Sequence, residues 1–225
     1  MPQQITIVGG GVVGCFLAYR LAMEGVGITL LEKDSPGAGA SGASAGNVQP
    51  VTGENTAFEA ELGAESLSLY RKYLPAIRAE SGIDFREQNT RYLYAATNQE
   101  EESNVRDLVL QMSSAGLRVE WLDSKAALEL DPRLSPDVIG GMLHQDCIQM
   151  DPQLFVDALA LAAQKKGAKF VKGEVKGLES RGGRFTGLRL GDGTLLNSDG
   201  VIIATGPWSA AAVRAWLDIS LPIEP

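Results

Sequence analysis

The 225-residue sequence predicts an α/β fold: a parallel sheet flanked by helices, interrupted by a separate α+β layer. Three observations carry that expectation. Near the N-terminus two β-branched apolar runs bracket a segment of helical length. A second helix-then-strand passage begins at Asp151, and the stretch between has a mixed composition that does not repeat the first pattern.

Taken in order, Ile5 to Val8 reads as a buried strand, Val12 to Met23 as a helix and Gly27 to Leu31 as a second buried strand, a βαβ unit with parallel strands. From Ser35 to Asn47 the chain becomes Gly-, Ala- and Ser-rich, either a flexible linker or a loop that approaches a ligand. Leu62, Leu67, Leu69, Tyr70, Tyr73, Leu74 and Ile77 recur at helical spacing, giving a long helix over Phe58 to Glu80 that Gly82 closes. "RYLYAAT" and "LRVEWL" read as strands around a polar helix from Gln99 to Ala115. Ser124 to Leu130 is a short helix stopped at Asp131-Pro132, and "VIGGMLH" another strand.

Asp151-Pro152 is a helix start, a side-chain acceptor followed by proline at the first helical position, and leads into "QLFVDALALAAQKKG". "AKFVKGEVKGLES" returns as strands. Gly191-Asp192-Gly193 marks a hairpin, Val201 to Ala204 a final buried strand and Trp208 to Trp216 a helix.

Apolar residues make up 44% of the chain and charged ones 21%, the balance of a globular protein. The net charge of −8 is spread over mixed acids and bases, leaving no basic face for nucleic acid. Cys15 and Cys147 form no CxxC pair and no histidine cluster accompanies them, so neither a disulfide framework nor a metal site is expected. The first apolar run has no basic region before it and is broken by three glycines, unlike a signal peptide. No uninterrupted run reaches the ~20 apolar residues of a transmembrane helix. A cytoplasmic protein is expected, with peripheral contact to the inner membrane left open.

Gly9, Gly11 and Gly14 have the GxGxxG spacing of a dinucleotide site. The first glycine permits a tight turn, the second lets pyrophosphate approach, and the third lets helix pack on strand. The helix that follows offers free N–H groups and a positive dipole end to phosphate. Glu32 ends the next strand about twenty residues later, where a carboxylate can accept hydrogen bonds from a ribose diol. Lys33 beside it is either an adenosine contact or a solvent-facing lysine. A nicotinamide half-domain would continue with a helix and a third parallel strand, whereas this chain enters the small-residue loop, where backbone amides can come close to a bulky bound ligand.

With "IVGGGVVG", "LLEKD", "GASGASAGN", "QMDPQLFVDALALAAQKKGAKF" and "DGVIIATGPWS" in that order, the chain resembles the D-amino acid oxidase-like FAD-dependent oxidoreductases, the group of glycine oxidase and D-amino acid dehydrogenase. The resemblance implies a Rossmann-type FAD-binding domain with a partial α+β substrate domain. It implies a first FAD-binding segment over residues 1–82, substrate domain over 83–145, a second FAD-binding segment over 146–216 and the start of a return to the substrate domain at 217–225.

It further implies that Gly9, Gly11, Val12, Val13 and Gly14 touch the FAD pyrophosphate and that Glu32 and Lys33 meet the adenosine end. Ala40, Ser41, Ala45, Gly46 and Asn47 would run toward the flavin ring. Val175 would meet adenine through its backbone, and Ala204, Thr205, Gly206 and Trp208 would return beside the first glycine loop. The implied substrate is a small amine or D-amino acid, which gives hydride to flavin N5 and leaves an imine that hydrolyses to a keto acid. The cofactor performs the difficult chemistry, so the lack of a Ser-His-Asp set is no objection.

His144 and Cys147 match no covalent-flavin motif and have no evident catalytic partner. Tyr92, Tyr94 and Trp121 read as core aromatics more readily than as a cavity wall. Members of the resembled family are longer, and the carboxylate-binding arginine usual to them lies beyond "LPIEP". The expectation is therefore a fragment, a truncated product or a chain completed by a partner subunit, with apolar surface and strand edges exposed. A non-catalytic flavin-binding subunit is the alternative to an enzyme, and a nicotinamide-linked dehydrogenase rests on the glycine fingerprint alone.

Overall fold

A computed structural model describes residues 3–50 and 57–222. Along the chain the elements are β1 (Gln4–Val8), α1 (Val12–Met23), β2 (Gly27–Glu32), β3 (Asn47–Val48), α2 (Ala57–Ser81), β4 (Gln88–Ala96), α3 (Gln99–Ser114), β5 (Val119–Asp123) and α4 (Ser124–Leu130). They continue with β6 (Gly140–Gln149), α5 (Pro152–Lys165), β7 (Lys169–Lys172), β8 (Val175–Arg181), β9 (Arg184–Leu190), β10 (Leu195–Asn197), β11 (Gly200–Ile203), a 3₁₀ turn (Gly206–Trp208) and α6 (Ser209–Leu217). The chain divides into two compact units, the first formed by the described residues of Met1–Ala45, Ala76–Phe85 and Asp151–Pro225, the second by those of Gly46–Pro75 and Arg86–Met150. The division passes through α2 at Pro75, which has no N–H to give the carbonyl four residues before it. The described residues of 46–75 thus fall in the second unit, whereas the expected first segment runs to residue 82.

In the first unit a parallel sheet has the order β11-β1-β2-β7, with Val8 opposite both Leu31 and Ile203. Ile7, Leu30 and Leu31 are essentially inaccessible, as continuous apolar strands between two covered faces require. α1 packs on β1 and β2 and against α5, and Ala18 and Ala22 of α1 and Ala158, Ala162 and Ala163 of α5 are buried, side chains short enough to let helix axes approach closely. The Asp151 carboxylate accepts the Leu154 N–H at 3.0 Å and Pro152 opens α5, as the sequence predicts. A three-stranded antiparallel sheet, β10-β9-β8, adds Val175, Leu188 and Leu190 to a core shared with Val8 and Leu31. Its hairpin turns at Gly193 (φ +86°), where the Leu190 N–H reaches the Thr194 carbonyl at 2.9 Å. Phe85 meets Phe155 edge-on at 5.3 Å, and Lys165 donates to the Glu80 carbonyl at 2.6 Å, holding the end of α2 to α5.

Two expectations change here. β11 is only half-buried rather than a buried strand, because among the described strands it pairs with β1 alone. The last helix begins at Ser209, after a 3₁₀ turn that Pro207 favours.

In the second unit β6 is the central strand: β4 pairs along its length, β5 pairs over Gly140–His144 and β3 over Ile148–Gln149, all antiparallel. β6 runs five residues past the predicted "VIGGMLH" stretch, through an irregularity in its pairing with β4. There Thr90 faces Cys147 and Tyr92 faces His144, so the β6 side holds one residue more than the β4 side. α3 starts at Asn98, whose side chain accepts the Glu101 N–H at 3.0 Å, and α4 at Asp123, which accepts the Ala126 N–H at 2.8 Å. Tyr92, Tyr94 and Trp121 are half-buried, not core as expected, and Arg106 lies 4.0 Å over the Trp121 ring. Among the described residues no helix is long and apolar enough to cross a membrane.

Candidate functional site

The glycine-rich turn between β1 and α1 leaves no room for a side chain at Gly9 or Gly14. Gly9 has φ +110°, and a Cβ there would run into the Ala204 carbonyl. A Cβ on Gly14 would collide with the Gly9 carbonyl. The Ala204 N–H bonds the Val8 carbonyl at 2.8 Å, and the Gly9 N–H bonds the Leu31 carbonyl at 2.8 Å. The turn is thereby pinned from β11 and β2 together, and two separated segments form one cradle.

α1 leaves this turn with Gly11 as its N-cap and no acidic residue in its first turn, so its positive end is not neutralised by its own sequence. The Val12 N–H donates to Ser41 Oγ at 3.0 Å. That places Ser41 on the helix N-terminus, with its own hydroxyl proton still to give. Val13 is exposed despite its size, at the edge of the open turn.

Glu32 reaches back across the turn. Its Oε2 accepts the Gly10 N–H at 2.7 Å and its Oε1 the Asp34 N–H at 2.9 Å. A carboxylate has about four acceptor positions, so two stay open for a diol. Lys33 is exposed and lies 5.1 Å over the Trp208 ring, and Trp208 in turn packs over Gly39. A Cβ on Gly39 would already touch the indole, 3.5 Å away.

The small-residue loop has order of its own. Gly37 N–H bonds the Gly10 carbonyl at 2.9 Å and Gly42 N–H the Gly37 carbonyl at 2.9 Å. Gln153, from the first turn of α5, donates to the Pro36 carbonyl at 3.0 Å and to Asp157 at 2.9 Å. Gln153 has no signal in the sequence, because a glutamine at the start of a helix is ordinary until the loop it grips is known. Ala40 and Ala45 are exposed.

Gly46 and Asn47 belong to the second unit: Gly46 (φ +73°) accepts the Met150 N–H at 3.0 Å, and Asn47 pairs with Gln149 in β3. Val175 is buried in the β8 core. Thr205 Oγ1 lies 3.2 Å from Ser209 Oγ, and Gly206 takes φ +57° as the chain turns into α6. In the first unit, Gly9 to Gly14, Glu32, Lys33, Ser41, Ala204 and Trp208 therefore converge, and Val175 packs in the core with Val8 and Leu31 at the ends of β1 and β2.

The cysteines offer no nucleophile. Burial, then the nearby Glu32 and Asp157 carboxylates, push the Cys15 thiol up to about 12, and it donates to the Gly10 carbonyl at 3.4 Å. In the second unit burial pushes Cys147 up to about 11, with its sulfur 2.7 Å from His144 Nδ1. His144 is itself lowered, chiefly by burial, with Asp146 opposing and Arg71 adding to the effect. Its Nε2 is buried without a hydrogen-bond partner among the described residues. No group of three or more His, Cys, Asp or Glu among the described residues is placed to hold a metal ion.

The family model described as DAO, FAD dependent oxidoreductase, matches residues 4–225. The glycine oxidase of Geobacillus kaustophilus (strain HTA426) is 29% identical over 98% of this chain and 59% of its own length. D-amino acid dehydrogenase 2 of Mesorhizobium japonicum is 30% identical over 99% of this chain and 66% of its own length. The crystal structure of glycine oxidase from Geobacillus kaustophilus superposes with a TM-score of 0.86 at 27% identity, covering 97% of this chain and 60% of that one. The chain thus spans about three fifths to two thirds of the length of these proteins.

Proposed function

Because the chain belongs to the FAD-dependent oxidoreductase family, with FAD as its cofactor, we propose that it oxidises the CH–NH bond of a small amine or D-amino acid. The reading rests on one observation above the others: a turn in which Gly9 and Gly14 admit no side chain opens onto the unneutralised end of α1, with Glu32 across it. Those are the groups a dinucleotide needs, N–H donors for phosphate at the helix end and a carboxylate acceptor for ribose.

In this reading the backbone of Gly9, Gly11, Val12, Val13 and Gly14 holds the pyrophosphate, and the Ser41 hydroxyl adds a donor beside it. Glu32 takes the ribose hydroxyls with its open lone pairs, and Lys33, stacked on Trp208, borders the adenosine end. Val175 contributes backbone near adenine, Ala204, Thr205 and Gly206 close the cradle, and Ala40, Ala45, Gly46 and Asn47 lead toward the ring. Bound FAD would supply the redox chemistry, accepting the hydride of the substrate's CH–NH bond, and the imine so formed would be hydrolysed to a carbonyl product with release of ammonia or an amine. The protein's work is to hold, orient and exclude water. No ionised thiol or histidine pair is required of it.

The glycine oxidase and D-amino acid dehydrogenase names of two relatives support this substrate class. A second reading, a flavin-binding chain that needs a partner or further chain to complete its substrate site, is favoured by the partial coverage of those relatives, 59% and 66% of their length. The two separate in one experiment. Protein loaded with FAD is mixed without oxygen with glycine, sarcosine and a panel of D-amino acids while the flavin absorbance is followed. Bleaching supports the enzyme; stable absorbance with tight FAD supports the second reading. Protein that takes up no FAD sinks both.

A further inference from the structure

The second unit contains a groove of about 540 Å³ between the end of its α2 segment and the irregular part of β6. That volume lies in the range of small-molecule sites, ~300–1,000 Å³. Its lining includes Arg71, Leu74 and Pro75 from α2, Arg118 before β5, and Asp146 and Ile148 from β6. The extra residue in β6 places Asp146 here, with a side chain only 8% exposed.

Asp146 joins the two arginines. Its carboxylate accepts from Arg71 Nη2 at 3.1 Å, from Arg118 Nε at 2.7 Å and from Arg118 Nη2. The Arg118 contacts first, then Arg71, hold the Asp146 carboxyl down at about 2, so it is ionised under any working condition. Two guanidinium charges and one carboxylate leave the triad with one positive charge. Among the described residues neither guanidinium is used up: Arg71 keeps Nε and Nη1 and Arg118 keeps Nη1, and both side chains are open to solvent, 46% and 68% exposed. A buried acid that clamps two forks and leaves their outer N–H groups in a groove fixes donors for an oxyanion before it arrives.

We propose that this groove binds a monocarboxylate with a short aliphatic body, at a site composed of none of the cofactor residues. The outer guanidinium groups take the carboxylate, while Leu74, Pro75 and Ile148 cover the aliphatic part. The single net positive charge of the triad matches one carboxylate, so a second negative group on the ligand finds no partner there. The proposal goes beyond the oxidation chemistry and does not depend on it.

The test is a ligand-observed NMR titration of FAD-loaded protein with pentanoate, set against pentanamide, glutarate and inorganic phosphate. Pentanoate should saturate with a Kd on the order of 1 mM, as befits so few atoms. It should weaken about tenfold or more in Arg118→Gln and in Arg71→Gln, as when a charge-assisted hydrogen bond is lost. FAD uptake should not change in either variant. Pentanamide should bind at least ~10-fold more weakly for the same reason, and glutarate and phosphate more weakly than pentanoate. Equal binding of pentanoate and pentanamide, tighter binding of glutarate or phosphate, absence of saturation, or folded arginine variants that bind as well as the parent would each overturn the proposal. The comparison of ligands on the unaltered protein decides the matter even if a variant fails to fold.

Discussion

At the scale of single residues, Gly14 and Glu32 are the most exposed to test. Gly14→Ala pushes a methyl group into the Gly9 carbonyl, so the strand-to-helix turn must open. Overpacking of this kind costs about 1–3 kcal/mol; we expect a lower urea midpoint and poor retention of FAD through gel filtration. Glu32→Gln keeps the shape, but an amide cannot accept from Gly10 and Asp34 as two carboxylate oxygens do. FAD affinity should fall about tenfold or more, as with other losses of hydrogen bonds to a charged group, measured by fluorescence quenching on titration.

His144 gives the pH dependence its sign. Its folded pKa lies below the ordinary 6.5, so the unfolded chain binds the proton more readily. Its contribution is complete above 6.5 and is lost as pH falls from there through the lower folded value. The thermal midpoint should drop between neutral and mildly acidic pH, and drop less in His144→Gln. An identical slope in the variant would exclude His144 as the source.

At the scale of elements, α5 is the helix whose loss would be felt most widely, because it packs on α1 and its Gln153 holds the small-residue loop. Removing its cap with Asp151→Ala should cost about 1 kcal/mol, read as a shift in unfolding midpoint. Ala162→Leu, at a position with no accessible surface, should cost more, about 1–3 kcal/mol, by forcing α5 off its neighbours. Such elements were legible in the sequence because their signals are local: Asp151-Pro152 is a cap, Gly191-Asp192-Gly193 a turn, and Val12 to Met23 lies between two apolar runs.

The misreadings have the opposite character. The extension of β6 past His144 depends on an extra residue that only its partner β4 reveals, and β11 is half-buried because of its place at the sheet edge. The glycine spacing announced the cradle. The hydroxyl of Ser41 on the Val12 N–H and the grip of Gln153 are pairings between distant positions, with no local pattern to announce them.

At the scale of the whole molecule, each compact unit is assembled from pieces of chain that are not consecutive. In the first, Thr6 bonds Ser198 across 192 residues, and Gly9 lies against the carbonyl of Ala204. The fingerprint at the N-terminus is thus a pattern of sequence but not a structure in itself. At ~5–20 residues per second, the strand that completes it leaves the ribosome roughly 10–40 s after β1. During that interval β1 and β2 have neither the final neighbour β11 nor α5. The N-terminal segment must stay soluble with an apolar strand edge uncovered, and the cofactor has no finished cradle to enter until most of the chain has been made.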